Sequence, residues 1–223
     1  MINLLDVTGL SKEEQNEKIG AEVNGLQEGE QLEIMSNGDY NEIVGGLVNK
    51  LWGNVEWYPF LNEAGTWSGR FTKNTASPTG ILGAMEAHHK YCDTLYVKGE
   101  NEISSGAEET GKMYLRAFLY NMELHFHREE TILFPAFEER TGMTQGPTQV
   151  MRAEHEQIRG VLNEMKKSYE AADYQKIFDR AETLLILVQQ HNSKEENMLY
   201  PMCDQHLLDI AEELTKKLIL LQL

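Results

Sequence analysis

The chain has 223 residues, enough for one large or two small domains, and 41% of them are hydrophobic, enough for a packed core. The formal net charge is −16, with 36 acidic against 20 basic side chains, which argues against a nucleic-acid partner and against an anionic membrane surface. No run approaches the ~20 apolar residues of a membrane helix, the start has no signal-peptide pattern, and Cys92 and Cys203 make neither a disulfide framework nor a C-x-x-C site, so a soluble cytoplasmic protein is expected.

"INLLDV" predicts a short strand. "SKEEQNEKIGAEVNGL" predicts a helix with Ser11 as N-cap and Glu14 completing a capping box. "EQLEIMS" alternates like a half-buried strand, and "YNEIVGGLVNKLWG" has helical spacing at Ile43, Leu47 and Leu51. "VEWYPFLNEAGTWSGRF" reads as two strands around a Glu-Ala-Gly turn. The order β-α-β-α-β-β predicts a small two-layer α/β domain over 1–71, its sheet covered on one face by two helices. Polar "TKNTASPTG", 72–80, reads as a linker. From 81 to 223 the period is helical almost throughout, with helices expected near 78–97, 107–140, 146–169 and 173–204 and a shorter fifth near 207–221. Four long amphipathic helices with short connections predict an up-down-up-down bundle.

Within that region one phrase is written twice. "HFHREETILFP" and "HNSKEENMLYP" share the pattern H-x-x-[RK]-E-E-x-x-L-[FY]-P, and 191 − 125 gives an offset of 66 residues. The offset maps His125 onto His191, Glu129 onto Glu195, Phe134 onto Tyr200 and Pro135 onto Pro201. Upstream it maps Met85 onto Met151 and His89 onto His155. Helices one and two therefore repeat as helices three and four, related by about a two-fold axis.

Residues three and four apart share a helix face. The stripes read Leu82, Met85, His89, Cys92, Tyr96; then Leu115, Leu119, Met122, His125, Glu129, Ile132; then Met151, His155, Ile158, Leu162; then Leu184, Val188, His191, Glu195, Met198. Four histidines and two glutamates converge on one level of the interior. Burying them costs several kcal/mol per ion unless they are paired or bind metal. Imidazole and carboxylate without thiolate suit iron, manganese or zinc, and two glutamates from opposite helices can bridge two cations. A lone H-x-x-x-E is usually a surface ion pair; two copies, each with a further stripe histidine at a constant offset, are not explained that way.

The remaining candidates are weaker. His88 maps onto Glu154 and reads as an edge group or as one that supports a ligand from behind, beside the ligand His89. His127 falls roughly 200° around the helix from His125 and faces away. Glu130 and Glu196 read as solvated, His206 as exposed, and Cys92 as packing.

The stretch from Pro78 to about Asp204, with "HFHREETILFP", "EHEQIR" and "HNSKEENMLYP", resembles the hemerythrin-like HHE cation-binding domain, a four-helix bundle with a non-haem di-iron centre. The resemblance implies iron on His89, His125, His155 and His191 with Glu129 and Glu195 bridging. It also implies that His89 and His125 serve one iron and His155 and His191 the other. Oxygen-carrying members have a histidine where this chain has Arg159, so simple oxygen carriage is not implied, and water, an exogenous ligand or Glu154 would fill the gap. Four-histidine sites also resemble those of the di-iron proteins that repair iron–sulfur clusters, whose N-terminal adjacent cysteines this sequence does not contain. "LDVTGL" and "LQEGEQLEI" resemble the DUF2249 family, related to the TusA-like sulfur carriers. "GLSKEEQ" stands where those carriers have Cys-Pro-x-Pro, so persulfide transfer is not expected of it.

Binding of O₂ or NO for sensing or stress defence is the leading expectation. The alternatives are a di-iron enzyme or cluster-repair factor, and an iron store. The apolar face Leu207, Ile210, Leu214, Leu218, Leu221 predicts a last helix that packs on the bundle, its end against the first domain or a second copy of the chain as a homodimer.

Overall fold

The computed structural model describes residues 3–63, 65–74 and 80–223. It divides into two compact units, Met1–Gly80 with Thr215–Leu223, and Ile81–Leu214. The expected linker falls largely on 75–79, and Ala64 of the expected turn likewise lies outside the described residues.

In the first unit β1 (Asn3–Asp6) pairs parallel with β2 (Gln31–Ser36), and α1 (Lys12–Gly25) makes the crossover. The Ser11 side chain accepts from the Glu14 N–H while Glu14 accepts from the Ser11 N–H, which is the capping box read from the sequence. After α2 (Tyr40–Lys50), capped by Asp39, the antiparallel strands β3 (Val55–Glu63) and β4 (Thr66–Lys73) complete a mixed sheet of order β1-β2-β4-β3. Pro59, which has no N–H to donate, sits on the edge strand beside a bulge. Ile19 and Val23 from α1, Val44 and Val48 from α2, and Ile34 and Phe71 from the sheet form one core.

Ile219 and Leu220 are packed against that same core. The sequence predicts a bundle domain running to 223. The last nine residues, Thr215–Leu223, group with the first unit, and the division falls inside α9 (Ala211–Leu220).

The second unit is built from four rods: α3 (Gly80–Ser105); α4 (Glu108–Arg128) running through Glu129–Leu133 into α5 (Phe134–Thr141); α6 (Pro147–Glu170); and α7 (Tyr174–Lys194) running through Glu195–Leu199 into α8 (Tyr200–His206). The first two rods approach closely through glycine: a Cβ on Gly99 would lie 2.8 Å from the Leu115 side chain, and one on Gly111 2.6 Å from Ile103. Asp204 accepts from the first free backbone donors of α3, Ile81 N–H at 2.7 Å and Leu82 N–H at 3.2 Å, tying the fourth rod to the first.

The second and fourth rods are not regular. Glu129–Leu133 and Glu195–Leu199 are π-helical turns, at positions related by the 66-residue offset. The N–H of Phe134 donates to Glu129 O and that of Tyr200 to Glu195 O, five residues back. Pro135 and Pro201 follow directly and remove the donors that would draw the chain back to α spacing. The wide turn moves the buried stripe on by one residue. Leu133 and Leu199 are fully buried, where regular spacing predicts Ile132 and Met198.

Candidate metal centre

The structure brings all six predicted residues, His89, His125, Glu129, His155, His191 and Glu195, into the middle of the second unit, and all are buried. The Nε2 atoms of His89 and His125 lie 2.9 Å apart, and those of His155 and His191 lie 3.2 Å apart. Both carboxylates straddle the two pairs. Glu195 places Oε2 3.3 Å from His89 Nε2 and Oε1 3.2 Å from His191 Nε2. Glu129 places Oε2 3.2 Å from His155 Nε2 and 3.6 Å from His125 Nε2.

Each imidazole is oriented by a partner on its far side. Nδ1–H donates from His89 to Glu196 at 2.7 Å, from His155 to Glu130 at 2.7 Å, and from His191 to Glu154 at 3.1 Å. His125 faces another ring, His88, with Nδ1 to Nδ1 at 3.0 Å. The Asn121 amide donates to Ala117 O, which aims its Oδ1 at His88, and His88 Nε2–H donates to it at 3.2 Å. Burial, then the Arg128 charge, hold His88 well below the usual histidine range, so its Nδ1 is bare and accepts from His125 Nδ1–H. In their neutral forms all four rings thus turn a bare Nε2 inward, which is how metal-ligating histidines are held.

Electrostatics favour a cation. Glu129 and Glu195 are fully buried, and with the imidazoles neutral Glu129 Oε2 and Glu195 Oε1 lack a hydrogen-bond donor. Burial, then the charge of Glu195, push Glu129 up to about 7. Burial also opposes charge on Glu195, but His191 and His89 outweigh it and hold that carboxyl well below its ordinary value. Burial would depress His89 and His155, yet the carboxylates outweigh it and raise each to about 9. Two carboxylates, two of their oxygens orphaned, and two nitrogen pairs at close range are a donor set that a pair of cations would satisfy.

Several residues differ from their sequence reading. Glu130 and Glu196 are only partly exposed, and their carboxylates turn inward to hold His155 and His89. Glu130 is further gripped by Arg159, whose guanidinium also pairs with Glu123 and lies 5.3 Å over the Phe126 ring. Burial would raise the Glu130 carboxyl, but His155 and Arg159 bring it down to about 2. Arg159 therefore acts from outside through Glu130. His88 and Glu154, one offset apart, do equivalent work behind His125 and His191, so Glu154 stands behind His191 rather than as an inner group. Lys194 pairs with it. His127 is partly exposed and faces away, and His206 is exposed. Burial pushes both cysteine thiols up, which suits packing.

Tyr200 was not legible as a site residue. Its ring is fully buried, and its hydroxyl lies 2.8 Å from Glu129 Oε1 and 2.9 Å from Glu195 Oε2. On a regular helix a residue five positions on falls ~140° off the face; the π turn at Glu195 brings it back. The signal available was the offset itself, which equates Tyr200 with Phe134.

Outer partners of this kind change metal affinity by about 10–100-fold. Glu130→Ala, Glu196→Ala and His88→Ala are each expected to weaken binding within that range while full loading is still reached at saturating metal. His89→Ala is expected to lose an ion outright. Titration against a competing chelator checks the ranking.

Nitrogen and carboxylate donors converging inside four helices define a metal-binding four-helix bundle. The family model for the hemerythrin HHE cation binding domain matches residues 81–203, more than half of the chain. The chain belongs to that family. No curated protein and no solved structure matches it. Among the described residues no helix is long and apolar enough to cross a membrane.

Proposed function

We propose that the bundle holds two iron ions and binds a small diatomic ligand, O₂ or NO, for sensing or for defence against oxidative or nitrosative stress. His89 and His125 would hold one ion, His155 and His191 the other, with Glu129 and Glu195 shared. The observation that carries this reading is the pairing of inward Nε2 atoms at 2.9 and 3.2 Å around two fully buried carboxylates. Iron in this donor set supplies reversible binding of a diatomic molecule and one-electron redox chemistry.

The chain's own residues do the rest. The outer carboxylates fix the imidazole planes. Met122 and Val188, one turn from His125 and His191, are buried and line a narrow, mostly apolar recess with Tyr96, Phe118 and Leu184, and with Asp93 as its one charged residue. That lining favours a small apolar ligand over bulk water. For the first unit, the proposal is a regulatory or docking role, because "GLSKEEQ" offers no cysteine for sulfur transfer.

Metal analysis of protein purified without added metal, with optical and Mössbauer spectra, tests the reading. Two irons per chain are expected, with a reversible spectral change when the reduced protein meets O₂ or NO. His127→Ala should behave as wild type. A metal-free chain, or one whose iron spectrum ignores both gases, overturns it.

A further inference from the structure

The 66-residue symmetry of the centre fails in a telling way where Phe134 answers to Tyr200. Phe134 and Tyr200 take matching seats, Phe134 stacked on His155 at 5.8 Å between centroids and Tyr200 tilted on His89 at 5.9 Å. Only Tyr200 carries a hydroxyl. That oxygen lies 3.2 Å from His125 Nε2, 3.4 Å from His89 Nε2, 2.8 Å from Glu129 Oε1 and 2.9 Å from Glu195 Oε2. A phenol has one proton to donate, so it cannot donate to both carboxylates at once. Donor atoms on one first-row ion, with bonds of ~2.1 Å, sit about 3.0–3.4 Å from one another. The Tyr200 oxygen is at close to that spacing from every inner group on its side.

The two half-sites are also unequal without it. Glu129, His155, His191 and Glu195 form a group of four donors, whereas His89, His125 and Glu195 form a group of three. The four-donor half is covered by the apolar rings of Phe126, stacked on His155 at 4.2 Å, and Phe134.

Resting on the two-iron reading above, we infer that Tyr200 is a ligand of the ion held by His89 and His125, adding an oxygen donor to that half alone and making the two metal sites chemically distinct. On ligation the phenol O–H bond breaks, the proton leaves to solvent, and the oxygen lone pair binds the ion. The added negative charge favours the oxidised ion in that half alone.

Tyr200→Phe is the direct test, because phenylalanine already occupies the equivalent buried seat at 134. Oxidised, iron-loaded wild type is expected to show a visible phenolate-to-iron charge-transfer band and enhanced tyrosinate modes in resonance Raman. Tyr200→Phe, with its iron content measured in parallel, should lose both signatures. Wild type holding two irons without a phenolate signature, or a Tyr200→Phe protein that keeps it, overturns the ligand assignment while leaving the two-iron reading intact. A wild-type chain that takes up no iron overturns the parent reading instead.

Discussion

Glu195→Ala is expected to empty the centre, whereas His125→Ala empties only half of it. Glu195 belongs to both donor groups, while His125 belongs to one. Metal analysis should read near zero ions for the first variant and about one for the second, on the proposed two-ion loading. Stability should follow. Removing one member of a buried charged cluster strands the others, at about 3–5 kcal/mol, and loss of a bound ion removes ~2.7 kcal/mol more where free metal stood at 100 times Kd. The bundle transition should then fall by on the order of 20 °C. Equal and unchanged metal content in both variants would remove the assignment. The pH dependence has a definite sign. In the metal-free chain His89 and His155 are raised to about 9, so below that pH they hold protons that an incoming ion must displace. Affinity should climb with pH up to about 9 and drop on the acid side.

Phe126→Ala is the second large effect. The ring is 1% exposed, stacks on His155, meets His191 edge-on at 6.0 Å and lies beneath Arg159. Truncating such a ring costs about 3–5 kcal/mol. Here it also frees His155 to turn, so the ion in that half should dissociate faster. Phe137→Ala separates the two consequences. Phe137 is 0% exposed and its ring contact is with His206, away from the centre. It should lose comparable stability in denaturant unfolding while keeping wild-type metal affinity. If both variants lose affinity alike, Phe126 has no role beyond packing.

The six inner residues were legible because a repeat at one constant offset overdetermines a helix register. His125 and Glu129 alone would have passed for a surface pair. Element order in the first unit was equally legible, since strand alternation, the Ser11–Glu14 box and the turn residues all agree. The shell around the centre was not. Assigning Glu130 and Glu196 to solvent, and Ile132 and Met198 to the interior, followed from treating the second and fourth helices as regular throughout. A π turn leaves no periodic trace in a single sequence, because it displaces the pattern by one residue. The prolines at 135 and 201 were visible, but a proline that close to a helix end reads as a terminus as readily as a register change. Tyr200 was hidden for the same reason, and its partner Phe134 made it look like an ordinary core aromatic.

The grouping of Thr215–Leu223 with Met1–Gly80 makes the first unit discontinuous in sequence, with the bundle threaded between its two parts. Vectorial synthesis then imposes an order. When the sheet emerges from the ribosome, the surface that Ile219 and Leu220 cover has no cover yet, and it must wait through more than a hundred further residues. The bundle, by contrast, is continuous from Ile81 to Leu214 and has all its parts before the last segment appears. The cluster of histidines and glutamates can therefore be assembled before the first unit closes.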